Sequence, residues 1–188
     1  MVKGYETERL LLKVLNKEAA PLILSFYEEN AEAFEPWEPK RSANFYTLSY
    51  HKTLLTVEHN LIADGKLIRY WVFLKDHPEE IIGSICFHNI LREPYYSCSL
   101  GYKFGQKHQH LGYATESIIK CLEIIYNVYG MHRIDAFIMP DNISSLKLIE
   151  RLGFVYEGTS LSYARINGRW ADHLHYALIN HNETGRYQ

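Results

Sequence analysis

Residues 95–139 constrain the fold more than any other stretch of this 188-residue chain. A run of strand length, 95–104, leads into a glycine-bearing loop, a long amphipathic segment and a second β-rich run, 132–139. Within the amphipathic segment Ile118, Ile119, Leu122, Ile125, Tyr126 and Tyr129 recur at helical spacing and form one apolar face. Glu116 and Lys120 are spaced as an i,i+4 ion pair, and Gly130 supplies the stop. A strand, a helix of this length and another strand predict a right-handed parallel crossover.

The loop between the first strand and the helix reads Gln109-His110-Leu111-Gly112-Tyr113-Ala114. A helix start offers N–H groups with no intrahelical acceptor, and the macrodipole adds partial positive charge there. Small residues at Gly112 and Ala114 let a ligand approach that backbone, which makes an anion cradle suited to phosphate. The same small residues also serve close packing of a helix on a sheet, and composition does not separate the two. Gly112 is followed by Tyr-Ala and not by Lys-Ser/Thr, so this is not a nucleotide-hydrolase P-loop, nor is it a dinucleotide fingerprint.

The remaining chain supplies the other elements of one α/β domain. Residues 9–15 have strand character, and Asn16 stands as a cap for a helix from Lys17 to about Asn30, with Pro21 in its first turn. Pro36-Trp37-Glu38-Pro39 interrupts regular structure, and a second helix is predicted over 48–63. Runs at 68–74, 81–90 and 95–104, separated by polar turns, read as an antiparallel meander. A short helix at 143–152 follows, then a hairpin, 154–166 and 170–178, about the type I′ signal Asn167-Gly168. Residues 1–180 are expected to form the domain and 181–188 a loose polar tail. The net charge of −2 gives no reason to expect nucleic acid or an anionic membrane. No apolar run has membrane-spanning length, and three scattered cysteines, Cys86, Cys98 and Cys121, point to reduced thiols in the cytoplasm.

Taken in order, these residues resemble the GNAT superfamily of acyl-CoA-dependent N-acyltransferases. Gln109-x-x-Gly112-x-Ala114 is similar to that family's pyrophosphate loop, and Asn142-x-x-Ser145 with Leu152-Gly153-Phe154 to its next segment. Thr7-Glu8-Arg9-Leu10, Pro36-Trp37-Glu38-Pro39, Gly101-Tyr102, His132-Arg133-Ile134 and Gly168-Arg169-Trp170-x-Asp172 resemble the ribosomal-protein-alanine N-acetyltransferases, the Rim group. The resemblance implies a mixed, mostly antiparallel central sheet flanked by helices, with a C-terminal β-hairpin. It implies acetyl-CoA as donor, its pyrophosphate on backbone N–H groups of His110, Leu111, Gly112, Tyr113, Ala114 and Thr115. Pantetheine would lie where the strands at Phe104 and His132 splay apart, hydrogen-bonded as an added strand near Phe104 and touched by Asn142. Lys103, Lys107 and His108 add positive charge nearby or are simply solvated.

Transfer of acetyl to an amine needs a neutral nitrogen, a polarised thioester carbonyl and a proton for the departing thiolate; alignment of the reactants supplies much of the rate. Ser145, by the Rim pattern, is the candidate proton donor, although a helix-start hydroxyl bonded to backbone has the same sequence signature. Many family members place a glutamate base on the strand before the phosphate loop; 95–102 holds no carboxylate. Glu38 and His88 remain as base candidates, with loop anchoring and strand packing as their alternatives. Trp37, Glu38, Tyr163, Arg165 and Asp172 are candidates for the acceptor side, Asp172 also as a lock on the hairpin. His108/His110 and His173/His175 are not completed as metal sites by any third ligand at familiar spacing, so no metal is expected. Cys98 has no recognisable partner as a nucleophile.

The missing base is itself informative. An α-amino group has a pKa of roughly 7.7–8.0 and lysine about 10.4. At neutral pH the first is therefore about a tenth or more uncharged and the second under about a thousandth, so weak base assistance suffices for an N-terminus alone. The expected acceptor is the N-terminal α-amine of a protein, ribosomal by resemblance. Small amines (a polyamine, an amino acid or an aminoglycoside) and a non-catalytic acetyl-CoA-sensing or partner-binding role are the alternatives. A homodimer through the hairpin would be unsurprising.

Overall fold

The computed structural model describes residues 4–181, so the tail expected at 181–188 lies, apart from His181, outside the described residues. Its eight strands are β1 (Gly4–Glu6), β2 (Leu10–Lys13), β3 (Ile68–Leu74), β4 (Ile81–Leu91), β5 (Ser97–Phe104), β6 (Arg133–Ile138), β7 (Val155–Ile166) and β8 (Arg169–Ile179). They form one sheet in the order β1-β2-β3-β4-β5-β6-β8-β7. Five helices flank it: α1 (Ala20–Glu29), α2 (Ala31–Phe34), α3 (Leu48–Ala63), α4 (Tyr113–Asn127) and α5 (Ile143–Arg151).

Strand alternation sorts the two faces. Along β3, Tyr70 and Val72 enter the core built with Ile118, Leu122 and Ile125 of α4 and Leu148 and Ile149 of α5. Their neighbours Trp71 and Phe73 join Ile23, Phe26 and Tyr27 of α1 and Leu55 of α3 on the opposite face. Between that second core and the sheet runs a polar seam. Arg69 on β3 donates from Nη1 to Ser84 Oγ (2.9 Å) and lies 2.9 Å from the buried Glu58 of α3.

The crossover predicted at 95–139 is present: β5 and β6 are parallel neighbours joined through α4. Only Ser97, Cys98 and Ser99 pair with Arg133, Ile134 and Asp135. Beyond that short joint, 100–104 bonds to β4 and 136–138 to β8, so the two strands diverge. The hairpin turn at Asn167-Gly168 has positive φ at both positions (42° and 81°), as a type I′ turn requires.

Local details depart from expectation where tertiary partners take over. Lys17–Ala19 is a 3₁₀ turn, and the Asn16 side chain makes no capping bond. Pro36 and Trp37 belong to a short 3₁₀ turn, Glu35–Trp37, rather than to irregular chain. Strand β5 begins at Ser97, two residues late, and β1 was not anticipated. Ile119 is 46% exposed, its expected place in the core taken by Cys121 and Ile124. Glu116 and Lys120 do not pair: Lys120 reaches Glu123, and Glu116 bonds to Thr7 and Arg9.

Candidate active site

A cleft of about 710 Å³ opens where β5 and β6 part, bounded by the loop at 109–115 and by 33–38 at its other end. The loop is shaped by two residues of positive φ, His110 (62°) and Gly112 (83°), the second heading α4. The first bond within α4 runs from Glu116 N–H to Gly112 O (3.0 Å), which leaves the N–H groups of Tyr113, Ala114 and Thr115 without an intrahelical acceptor. Gln109, His110, Gly112, Tyr113, Ala114 and Thr115 all border the cleft. Leu111 does not, and its carbonyl is held by Arg9 (3.1 Å). This arrangement fits a diphosphate: backbone donors at a helix start, beside a glycine with no side chain.

Phe104 meets the cleft at the end of β5. Its ring packs against Gly83, where any Cβ would come within 2.5 Å of Cδ1. Gln109 Nε2 donates to Phe104 O (3.2 Å) and so ties loop to strand. Asn30, which sequence reasoning missed, accepts from Gln106 N–H (2.9 Å) while donating to Phe26 O (2.8 Å), pinning the loop's near end to α1.

On the β6 side, Asn142 caps α5 by accepting from Ser145 N–H (3.2 Å). Ser145 therefore lies in the first turn of that helix and borders the cleft. Tyr102 from β5 reaches across, its hydroxyl 2.6 Å from Ser145 Oγ. Burial pushes the Tyr102 hydroxyl up to about 12, against a smaller downward pull from Ser145, so the phenol remains protonated at neutral pH. Gly101-Tyr102 was read only as part of a resemblance; that Tyr102 faces Ser145 depends on the parallel register of β5 and β6, which local sequence does not encode.

At the far end, Trp37 and Glu38 border the cleft. The Glu38 carboxylate is ion-paired with both Arg41 and Lys103. Lys103 Nζ also lies 5.0 Å from the Tyr27 ring centroid, so it is built into the wall rather than solvated. The hairpin tip docks here as well, since Asn167 N–H donates to Glu38 O (3.0 Å). His88 does not border the cleft; it lies behind Gly101, whose missing Cβ would come 3.9 Å from His88 Nε2. Burial lowers the His88 pKa, so its ring is neutral at neutral pH.

The hairpin candidates divide. Tyr163 stacks on Phe137 (4.4 Å, 10°), which borders the cleft, as does His173. Arg165 and Asp172 do not line it. Arg165 donates to Gly168 O (3.1 Å), and Asp172 accepts from Ser162 N–H (2.7 Å) at the bulge of β7, so both maintain the hairpin. His175 is brought to Asp135 and Glu157, within 4.8 Å of one another, a convergence of three strands that spacing conceals. Arg133 already donates to both carboxylates, and a cation occupies the place a metal would need. Cys98 is buried, its thiol pushed up to about 12 by burial, which leaves it inert.

Comparison with known proteins agrees with this architecture. The model of the acetyltransferase (GNAT) domain matches residues 9–155. The [Ribosomal protein uS5]-alanine N-acetyltransferase of Escherichia coli is 33% identical over 178 residues, covering 95% of this chain and 91% of that protein. The crystal structure of ribosomal-protein-S5-alanine acetyltransferase from Vibrio fischeri superposes with a TM-score of 0.90 at 30% identity, covering 95% of this chain and 97% of that one. Mycobacterium smegmatis RimJ in complex with CoA-disulfide, at 21% identity, has a TM-score of 0.87 over 94% of this chain and 86% of that one, a likeness of fold. A splayed parallel joint, an anion cradle at its mouth and a match of this extent make the chain a member of the GNAT family, an acetyltransferase that uses acetyl-CoA.

Proposed function

We propose that the protein acetylates the N-terminal α-amine of a ribosomal protein by direct attack within a ternary complex. The near end-to-end match to the uS5-alanine enzyme carries this reading. In it, the N–H groups of 113–115 hold the diphosphate and the unpaired edges of β5 and β6 flank the pantetheine arm. The attacking nitrogen forms the new C–N bond, the thioester C–S bond breaks, and the thiolate takes its proton from Ser145, which is reprotonated from solvent as the amine gives up its own proton. Tyr102, donating to Ser145 Oγ, would leave the serine hydrogen free to point at the sulfur. For the amine proton, His88 is the better-supported candidate, acting through water past Gly101, because its ring is neutral. Both oxygens of Glu38 already accept from cations, so it holds the cleft wall beside Trp37 and is not free to take the amine proton. Three free, buried cysteines fit a reducing compartment.

Thiol release from acetyl-CoA, followed over a panel of peptides with free N-termini, N-blocked lysine peptides, polyamines, amino acids and aminoglycosides, tests the substrate. Free N-terminal peptides are expected to turn over fastest, with kcat/KM rising to a plateau above about pH 8, where the α-amine is uncharged. Preference for blocked lysine peptides or small amines, with rates still climbing through pH 10, would overturn it.

A further inference from the structure

Thr7-Glu8-Arg9-Leu10 is far in sequence from the donor site, yet Arg9 contacts Leu111 and Tyr113 at the donor loop and Glu116 just behind it. Its Nη1 donates to Leu111 O (3.1 Å), its Nη2 lies 3.2 Å from where a Cβ on Gly112 would stand, and its Cζ is 4.6 Å from the Tyr113 ring centroid. Its backbone N–H (2.9 Å) and Nε (2.7 Å) both donate to Glu116, whose carboxylate also accepts from the Thr7 hydroxyl. Glu116 sits in the first turn of α4, beside the amides that receive the diphosphate. Unpaired, that carboxylate would repel the ligand, since like charges at such range oppose each other. Against the upward push of partial burial, the bonds from Thr7 and Arg9 hold its carboxyl below the usual range, so it is anionic at working pH and its compensation matters.

The second effect is conformational. His110 and Gly112 both have positive φ, so the peptide units around Leu111 have little regular structure to hold them. A carbonyl turned into the cradle would cancel the amides. Arg9 pulls the Leu111 carbonyl outward, to the side away from the cleft. We infer that Arg9 is a positioning residue for acetyl-CoA, holding Leu111 O out of the cradle and neutralising Glu116 beside it. The inference rests on the diphosphate occupying this loop.

Calorimetric titration of the full chain with CoA, which needs no acceptor, tests it. Arg9→Met is expected to raise the Kd roughly 10–100-fold, the loss of charge-assisted hydrogen bonds. At saturating acetyl-CoA, kcat should stay within a few-fold of the parent. Arg9→Lys, which can keep the ion pair but not the fork, should fall between. Adding Glu116→Gln to Arg9→Met should recover several-fold of the lost affinity, which a purely structural role would not produce. An unchanged Kd in Arg9→Met, or no recovery in the double variant, would overturn the inference. Should Arg9→Met fail to fold, a parental Kd in Arg9→Lys would overturn it equally. Failure of the parent protein to bind CoA would instead refute the donor-site reading.

Discussion

Gly112 must satisfy two demands at once. Its φ of 83° lies in the region that side chains rarely adopt, and a Cβ there would stand 3.2 Å from Arg9 Nη2. Gly112→Ala should cost about 1–2 kcal/mol of stability through the left-handed backbone alone. It should also weaken CoA binding more than tenfold, because the loop must relax away from its donors; thermal melts and calorimetry read the two effects separately. Ser145 and Tyr102 form the other informative pair. Ser145→Ala should lower kcat about 100-fold with little change in KM for acetyl-CoA. Tyr102→Phe should lower it less, and should add almost nothing in the Ser145→Ala background if the phenol acts through the serine, as proposed; a double-mutant cycle in kcat measures the coupling. The shape of the loop and the place of Ser145 at the start of α5 were legible because a short motif specifies backbone shape locally. Tyr102, Asn30 and the Arg41–Glu38–Lys103 cluster were not, because each depends on which strands and helices meet, and no spacing in the chain records that.

Among the elements, α3 and β3 carry the least expected chemistry. The buried pair of Glu58 and Arg69 lies between helix and sheet, and burial lifts the Glu58 carboxyl while Arg69 pulls it back. Arg69→Met should destabilise by about 3–5 kcal/mol, since it strands a buried carboxylate; urea denaturation reads the loss. On the same helix, His51 is fully buried against Tyr27 (5.5 Å, 16°), and burial lowers its pKa. The folded state therefore binds its proton more weakly than the unfolded chain does. The contribution of a neutral His51 is present above about pH 6.5 and is lost as pH falls from there toward the lowered folded value. His51→Phe should flatten the decline in stability between about pH 6.5 and 5, measured as the urea midpoint at each pH. Helical periodicity announced α3 without hinting at either group, because a polar residue on a buried face looks like an error in the pattern until its partner is known. The extra strand β1 was missed for a related reason: three residues are too few to show alternation.

For the whole molecule, the decisive feature is how little backbone pairing joins its two half-sheets. Strands β1–β5 and β6, β8, β7 meet through three residue pairs, with α4 and α5 bridging on one face. The order of elements in the sequence was enough to predict this crossover, but not how early it parts. Acetyl-CoA inserted in the gap should stabilise the protein by about 2.7 kcal/mol at a hundredfold excess over Kd, by mass action. Hydrogen exchange should show the added protection concentrated at 100–104 and 136–138, and uniform protection would count against insertion there. The donor is then also a mortar. When the coenzyme is scarce, each molecule spends more time parted along its weakest line and more often exposed to proteases, so the supply of CoA and its thioesters would govern how long the catalyst survives as well as how fast it works.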